Sequence, residues 1–420
     1  MKLNNLINQH IEKIIYIFIL FSPFMDAIAG IMLLTEVNIT IGLILRFSFL
    51  VIMIYYLVFI SKSKYKKLSI YMIASMFLYC ILYVVYTVVS KDSSILFVEI
   101  KDLLKTFYFP LMLTALFNIH IDKKNSINVN VLIQVFIFYS FLIFMPNFLG
   151  SGFNSYGHAK IGKIGWFYAA NEVGAILSIL VPIVIYKLLK QSNFFFKIFA
   201  FAFIIYVFLT IGIKTPLLSF IVTILFFLFK NLISLTIRKD FKKLILIIGT
   251  SFVLGIIAIM IIPQTAFYKN IKIHMDYLEM NSISQIFTDF DYLDRFVFSD
   301  RLTFLDSKNQ EYMRSNVVEK FIGLGVAHDN EMTKSVEIDY YDVFYKNGIV
   351  GFIVFFIPII LIFRIIFSKI KLDEENIIIF LSIILVFVLA FFAGHIFIAP
   401  SVSTIVIFII LNILRKQKDI

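Results

Sequence analysis

Residues Gln264–Tyr340 read QTAFYKNIKIHMDYLEMNSISQIFTDFDYLDRFVFSDRLTFLDSKNQEYMRSNVVEKFIGLGVAHDNEMTKSVEIDY. This is the one long polar interval in the chain. It holds nearly half of the acidic residues, three arginines and two histidines. Apolar runs of bilayer-spanning length lie on both sides of it. The contrast predicts an all-α, polytopic membrane protein with chemistry concentrated at one membrane–water boundary.

The whole chain supports that class. Its 420 residues are 60% hydrophobic and only 15% charged, with 50 Phe. Soluble domains sit near 45–50% apolar and about 25% charged. Cys80 is the single cysteine, which excludes a disulfide framework and a thiolate metal cluster. The apolar run after Lys13 is too long for a cleavable signal.

About twelve spans are expected, at 13–33, 39–60, 68–90, 103–120, 127–148, 169–187, 194–212, 215–233, 244–263, 342–368, 375–394 and 398–414. One integrated membrane domain follows: residues 1–263 with nine spans, the polar loop 264–341, and 342–420 with three spans and a tail. The linkers alternate in charge. Ser61–Lys67, His120–Asn125, Lys187–Lys197, Lys230–Lys243, Arg364–Lys371 and Arg415–Lys418 are basic, whereas Thr35–Asn38, Gly150–Tyr168 and Gly394–Pro400 are poorer in Lys and Arg. The positive-inside rule makes the basic set and both termini cytoplasmic and the large loop extracytoplasmic. The net charge of +11 then lies mostly against anionic lipid, and nucleic acid is not implicated.

No Walker phosphate loop, HExxH, deaminase zinc pattern or GxSxG elbow occurs. The expectation is a metal-independent protein without a cofactor. Candidate chemistry therefore rests on polar residues in spans and on the loop face. Asp26 and Arg46 sit in the first two spans, as an ion pair fixing that hairpin or as ligand groups. Glu99, Lys101, Asp102 and Lys105 read as a solvated interfacial turn, with a substrate groove as the alternative. In GSGFNSYGHAKIGKIGWFYAANEVG (150–174), Asn171 and Glu172 fall in the first turn of a span. They serve as a capped helix start or as the edge of a polar cavity. Lys214, in IGIKTPLLS (211–219), breaks the positive-inside pattern, and a fixed cation there suits a phosphate.

Within the loop, Arg301 and Arg314 offer planar, permanently charged donors for a diphosphate. His328 follows the turn Gly323–Val326 and titrates near neutrality. Asp339 and Asp342 share a face if helical, Tyr340 and Tyr341 offer rings for sugars, and His395 ends the eleventh span.

The order of these features resembles the O-antigen ligase/polymerase superfamily. The residues that carry the resemblance are NEVG (171–174), GIKTPLLS (212–219), SDR (299–301), GLGVAHDN (323–330) and YYDVFYKNGIVGF (340–352). Capsular and teichuronic-acid-type polysaccharide polymerases of Gram-positive bacteria are the most similar branch. The resemblance implies a glycosyltransferase-C-like membrane fold and glycosidic bond formation on the outer face from an undecaprenyl-diphosphate-linked glycan. It also implies work alongside a flippase and a chain-length regulator. Residue by residue, Arg301 matches the loop arginine, Arg314 and Gly325 an Arg-x10-Gly spacing, and His328 the loop histidine. Lys214 stands where the family's turn has arginine, and Asp339 and Asp342 stand where a His-Asn pair opens the following helix.

The expected roles follow. His328 or Asp339 takes the acceptor proton, with Arg301 in the catalytic set. Arg301, Arg314, Lys214 and Arg46 hold the diphosphate. Asn171, Glu172, Tyr340, Tyr341, Asp342 and His395 hold the glycan. A ligase with another acceptor, a lipid-linked oligosaccharide flippase and a scaffold are the competing readings. A transporter predicts charge near the bilayer midplane in paired repeats, which the sequence lacks.

Overall fold

The computed structural model describes residues 2–34, 41–91, 93–123, 128–156, 160–239, 241–243, 245, 249, 262–326, 335–368 and 373–413. Among the described residues, nine helices are long and apolar enough to cross a bilayer. They are α1 (Lys2–Leu34), α2 (Ile41–Tyr55, continued by a π turn to Ile60), α3 (Lys66–Ser90), α5 (Val129–Phe148), α6 (Ala170–Lys190), α7 (Phe194–Ile211), α8 (Lys214–Ile237), α12 (Asp339–Phe367) and α13 (Glu374–Phe392). Two more expected spans form helices of another kind, α4 (Leu96–Lys123) and α14 (Pro400–Asn412). The expected span at 244–263 lies almost wholly outside the described residues.

The exceptions have a physical reason. Every residue of α4 from Thr106 to His120 is buried, and so is all of α14. These helices touch protein rather than lipid, so they tolerate polar groups that find partners. Tyr108 and Thr404 hydrogen-bond at 3.0 Å, and the Asn118 amide donates to Ser69 at 2.7 Å. The outer helices α7 and α8 turn Phe195, Phe199 and Phe229 outward, as lipid-facing surfaces do.

Side-chain contacts gather the linkers at two ends. At one end, the backbone N–H of Lys62 meets the Asp122 carboxylate, and Lys190 and Lys230 share Glu374. At the other, which we call the loop face, lie three shorter helices, α9 (Ala266–Tyr277), α10 (Arg301–Arg314) and α11 (Val317–Ile322). A two-stranded antiparallel hairpin, β1 (Phe153–Asn154) with β2 (Lys163–Gly165), is tied to them. The Asn270 side chain of α9 bridges Ile161 to Gly212.

Gly348 breaks α12. It has φ +62° and ψ −173°, so the element is two helices meeting at a kink. A Cβ there lies 2.6 Å from the Phe321 carbonyl carbon, and one on Gly323 lies 2.1 Å from the Lys346 oxygen. Only glycine admits that backbone-on-backbone crossing.

Candidate functional site

Four polar assemblies occupy the loop face. The first is the clamp on the Gly323–Val326 turn. Leu324 and Gly325 donate backbone N–H groups to the carbonyls of Tyr345 and Lys346, at 2.9 and 3.1 Å. The Glu99 carboxylate accepts from Tyr83 at 2.6 Å, Lys91 at 3.1 Å and the Val326 amide at 3.1 Å. Glu99 is only 1% exposed. The solvated turn expected at Glu99–Lys105 is therefore corrected: its first residue is a buried anchor, because desolvating a carboxylate demands several donors. His328, expected just after this turn, lies outside the described residues.

The second assembly surrounds Asp339, at the start of α12. Its carboxylate accepts the backbone N–H groups of His395, Ile396 and Phe397 at 2.7, 2.7 and 2.6 Å. Gly394 and His395 both take left-handed φ, +64° and +58°, which turns successive amides towards one anion. Arg301 closes the same corner. Its guanidinium donates to the carbonyls of Phe392 and Ala393, which end α13, and pairs with Glu337 at 3.2 Å. Asp342 accepts from Ser335 and the Val336 amide at 2.9 Å each, while its Oδ2 is buried without a partner among the described residues.

This geometry does not bring the expected arginines together. Arg301 and Arg314 begin and end a 14-residue helix, about 20 Å apart along its axis. Arg301 is engaged by carbonyls; Arg314 is exposed. Tyr340 and Tyr341 are also engaged. The Tyr340 hydroxyl donates to Phe387 at 3.1 Å, its ring packs on Phe397 and Phe356, and Tyr341 stacks on Tyr345. Asn171 is exposed.

The third assembly is cationic. Lys214 donates to the Phe296 carbonyl at 2.9 Å and lies 4.3 Å from the centre of the Phe296 ring, with His274 stacked on that ring. Burial, then Lys160, Lys214 and Arg295, push the His274 pKa down to about 4. The imidazole is therefore neutral at pH 7. Burial also lowers the Lys160 pKa. Arg295 faces Asp291 and Asp300 only loosely, at 3.6 and 3.8 Å. Neither Lys160 nor Lys214 pairs with a carboxylate among the described residues, and His274 Nδ1 is buried without a partner there. Lys160 escaped the sequence reading, yet it breaks the positive-inside pattern just as Lys214 does. His274 left no signal.

The fourth assembly is a cavity of about 280 Å³ between α1, α2, α4, α6 and α14. Arg46 pairs with Asp26 at 2.6 Å, and Tyr139 donates to the other Asp26 oxygen at 2.5 Å. The hairpin ion pair expected of these residues is present. Glu172 sits in the first turn of α6, as expected, and accepts from Ser401. The strap Trp166–Tyr168 walls the cavity by packing its backbone on Gly30, where a Cβ lies 2.5 Å from the Trp166 oxygen.

A family model described as O-antigen ligase like membrane protein matches residues 8–291 and 291–417. The chain belongs to that family. No curated protein and no solved structure matches the chain. The O-antigen ligase-like assignment carries a multi-pass membrane protein with it, in agreement with the helices described above. In this O-antigen ligase-like chain, no three His, Cys, Asp or Glu side chains are grouped as a metal site among the described residues.

Proposed function

We propose that this O-antigen ligase-like protein is a metal-independent polysaccharide polymerase. It joins undecaprenyl-diphosphate-linked repeat units on the extracytoplasmic side of a bacterial cytoplasmic membrane, with the loop face outward. The observation that carries this reading is the grouping of Lys160 and Lys214 about His274, with no carboxylate partner for either lysine among the described residues. When the acceptor hydroxyl attacks the anomeric carbon, the C–O bond to the diphosphate breaks and negative charge builds on the leaving group. Preorganised cations without carboxylate partners stabilise that charge without first giving up an ion pair. Lys214, expected in this role together with Arg301, Arg314 and Arg46, keeps it, and Lys160 joins it.

The acceptor proton goes to His328, whose imidazole has a reference pKa of about 6.5. Asp339 is a positioning residue: three amide N–H groups occupy its carboxylate. The apolar exterior of α7 and α8 suits the polyprenyl tail and the lipid bilayer. The test is incubation of the purified protein with lipid-linked repeat units. A ladder of chain lengths, insensitive to chelator, supports the polymerase. Transfer to a different acceptor makes it a ligase, and unchanged substrate refutes both.

A further inference from the structure

The cavity beneath the strap differs in kind from the cationic assembly. Two cations, Arg46 and Lys105, and two carboxylates, Asp26 and Glu172, line it, together with Tyr168 and Ser401. Their fixed charges cancel. Arg46 and Asp26 neutralise each other at 2.6 Å. Lys105 pairs with no carboxylate among the described residues, and Glu172 is met only by the Ser401 hydroxyl there. Arg46 is 4% exposed, and its Nε is buried without a hydrogen-bond partner among the described residues. The cavity thus offers one cation, Lys105, and one carboxylate, Glu172, that no opposite charge among the described residues meets.

Those features select an occupant. A lipid tail satisfies none of four ionised groups and desolvates them all. A diphosphate gains little from a lining without net charge, and the cationic assembly already serves it. A polyhydroxylated ring can donate to Glu172 and accept from Lys105 at the same time. Tyr168, 62% exposed at the rim, supplies a ring face. The cavity's 280 Å³ equals about nine waters at ~30 Å³ each. That is room for one sugar ring, with the rest of a longer glycan continuing past the exposed rim at Tyr168.

We infer that this cavity is the acceptor subsite and holds a single uncharged sugar, the terminal residue of the glycan whose hydroxyl is to be glycosylated. The inference rests on the transfer reading above and adds a partition to it. The donor binds through its diphosphate at Lys160 and Lys214, and the acceptor binds through its sugar at Glu172 and Lys105.

Two probes separate the halves. One is the oligosaccharide released by mild acid from the cells' lipid-linked pool, which has the terminal sugar and no diphosphate. The other is undecaprenyl diphosphate, which has no sugar. Each is titrated into purified full-length protein. Lys105→Met and Glu172→Gln should each weaken oligosaccharide binding about tenfold, the worth of one hydrogen bond to a charged group. Carrier affinity should stay unchanged in the same samples, which also shows that the variants are folded. Unchanged oligosaccharide affinity in both variants overturns the subsite. So does loss of carrier affinity instead, which makes the cavity the diphosphate site. If the wild type binds the carrier but no oligosaccharide, the subsite falls and the transfer reading stands. If it binds the oligosaccharide through Glu172 and Lys105 but no carrier, the transfer reading falls, and the cavity is a sugar site without the acceptor role.

Discussion

Asp339→Asn separates an anchoring carboxylate from a catalytic base. In the native protein one Asp339 oxygen accepts from His395 and the other from both Ile396 and Phe397, at 2.6–2.7 Å. Asparagine keeps a single acceptor oxygen. With that oxygen turned to Ile396 and Phe397, its NH2 group faces the His395 N–H. Losing one hydrogen bond to a charged acceptor costs about 1.5–3 kcal/mol, and reducing the other two to neutral strength adds about 1 kcal/mol. The total is about 2.5–4 kcal/mol, a large share of the ~5–15 kcal/mol that holds a typical protein folded. The assay is thermal unfolding of the purified protein in detergent at one scan rate, with limited proteolysis at residues 393–399. The expected result is a lowered transition, faster cleavage there, and activity that falls only as the folded fraction falls. An Asp339→Asn protein that melts like the wild type yet makes no polymer refutes the anchor and makes the carboxylate the base.

Two further outcomes follow from the geometry. Gly348→Ala puts a Cβ 2.6 Å from the Phe321 carbonyl carbon at φ +62°, so it should destabilise by about 2 kcal/mol or more, read as a lowered unfolding transition. His274 is held neutral in the fold with its pKa near 4, whereas the unfolded chain takes up that proton below about pH 6.5. Its contribution to stability is therefore intact above about pH 6.5 and lost as pH falls towards about 4. His274→Gln should flatten the pH dependence of unfolding in that window, and an unchanged slope would exclude His274 as its source.

The membrane architecture was legible because spans are written in local hydropathy, which needs no knowledge of partners. The Asp26–Arg46 pair was legible for a similar reason, since a tight hairpin brings neighbouring spans together. The helix start at Glu172 was also readable, from the polar residues before an apolar run. The buried helices α4 and α14 were harder to define. Surrounded by protein, they carry Asn118 and Thr404 and need no uniformly apolar surface. The roles of Arg301 and Glu99 were not legible. Arg301 is fixed by carbonyls some ninety residues away, and Glu99 by an amide more than two hundred residues away. A side chain drawn as a free ligand in sequence is spoken for in three dimensions. The converse holds at Lys160, a cation in an outer linker that the fold sets near Lys214.

The proposed polymerase reaction relies on Lys160 and Lys214 to hold the departing diphosphate. Its most direct measurement is the turnover of lipid-linked repeat units by the purified Lys160→Ala/Lys214→Ala protein. Neither lysine pairs with a carboxylate among the described residues, so the thermal transition should fall only by the worth of the Lys214 contact with Phe296, about 1 kcal/mol. Each lost transition-state contact is worth about 10²–10³ in rate. In protein that remains folded, kcat/KM for the donor should fall by at least about 10³. Turnover near that of the wild type would contradict it.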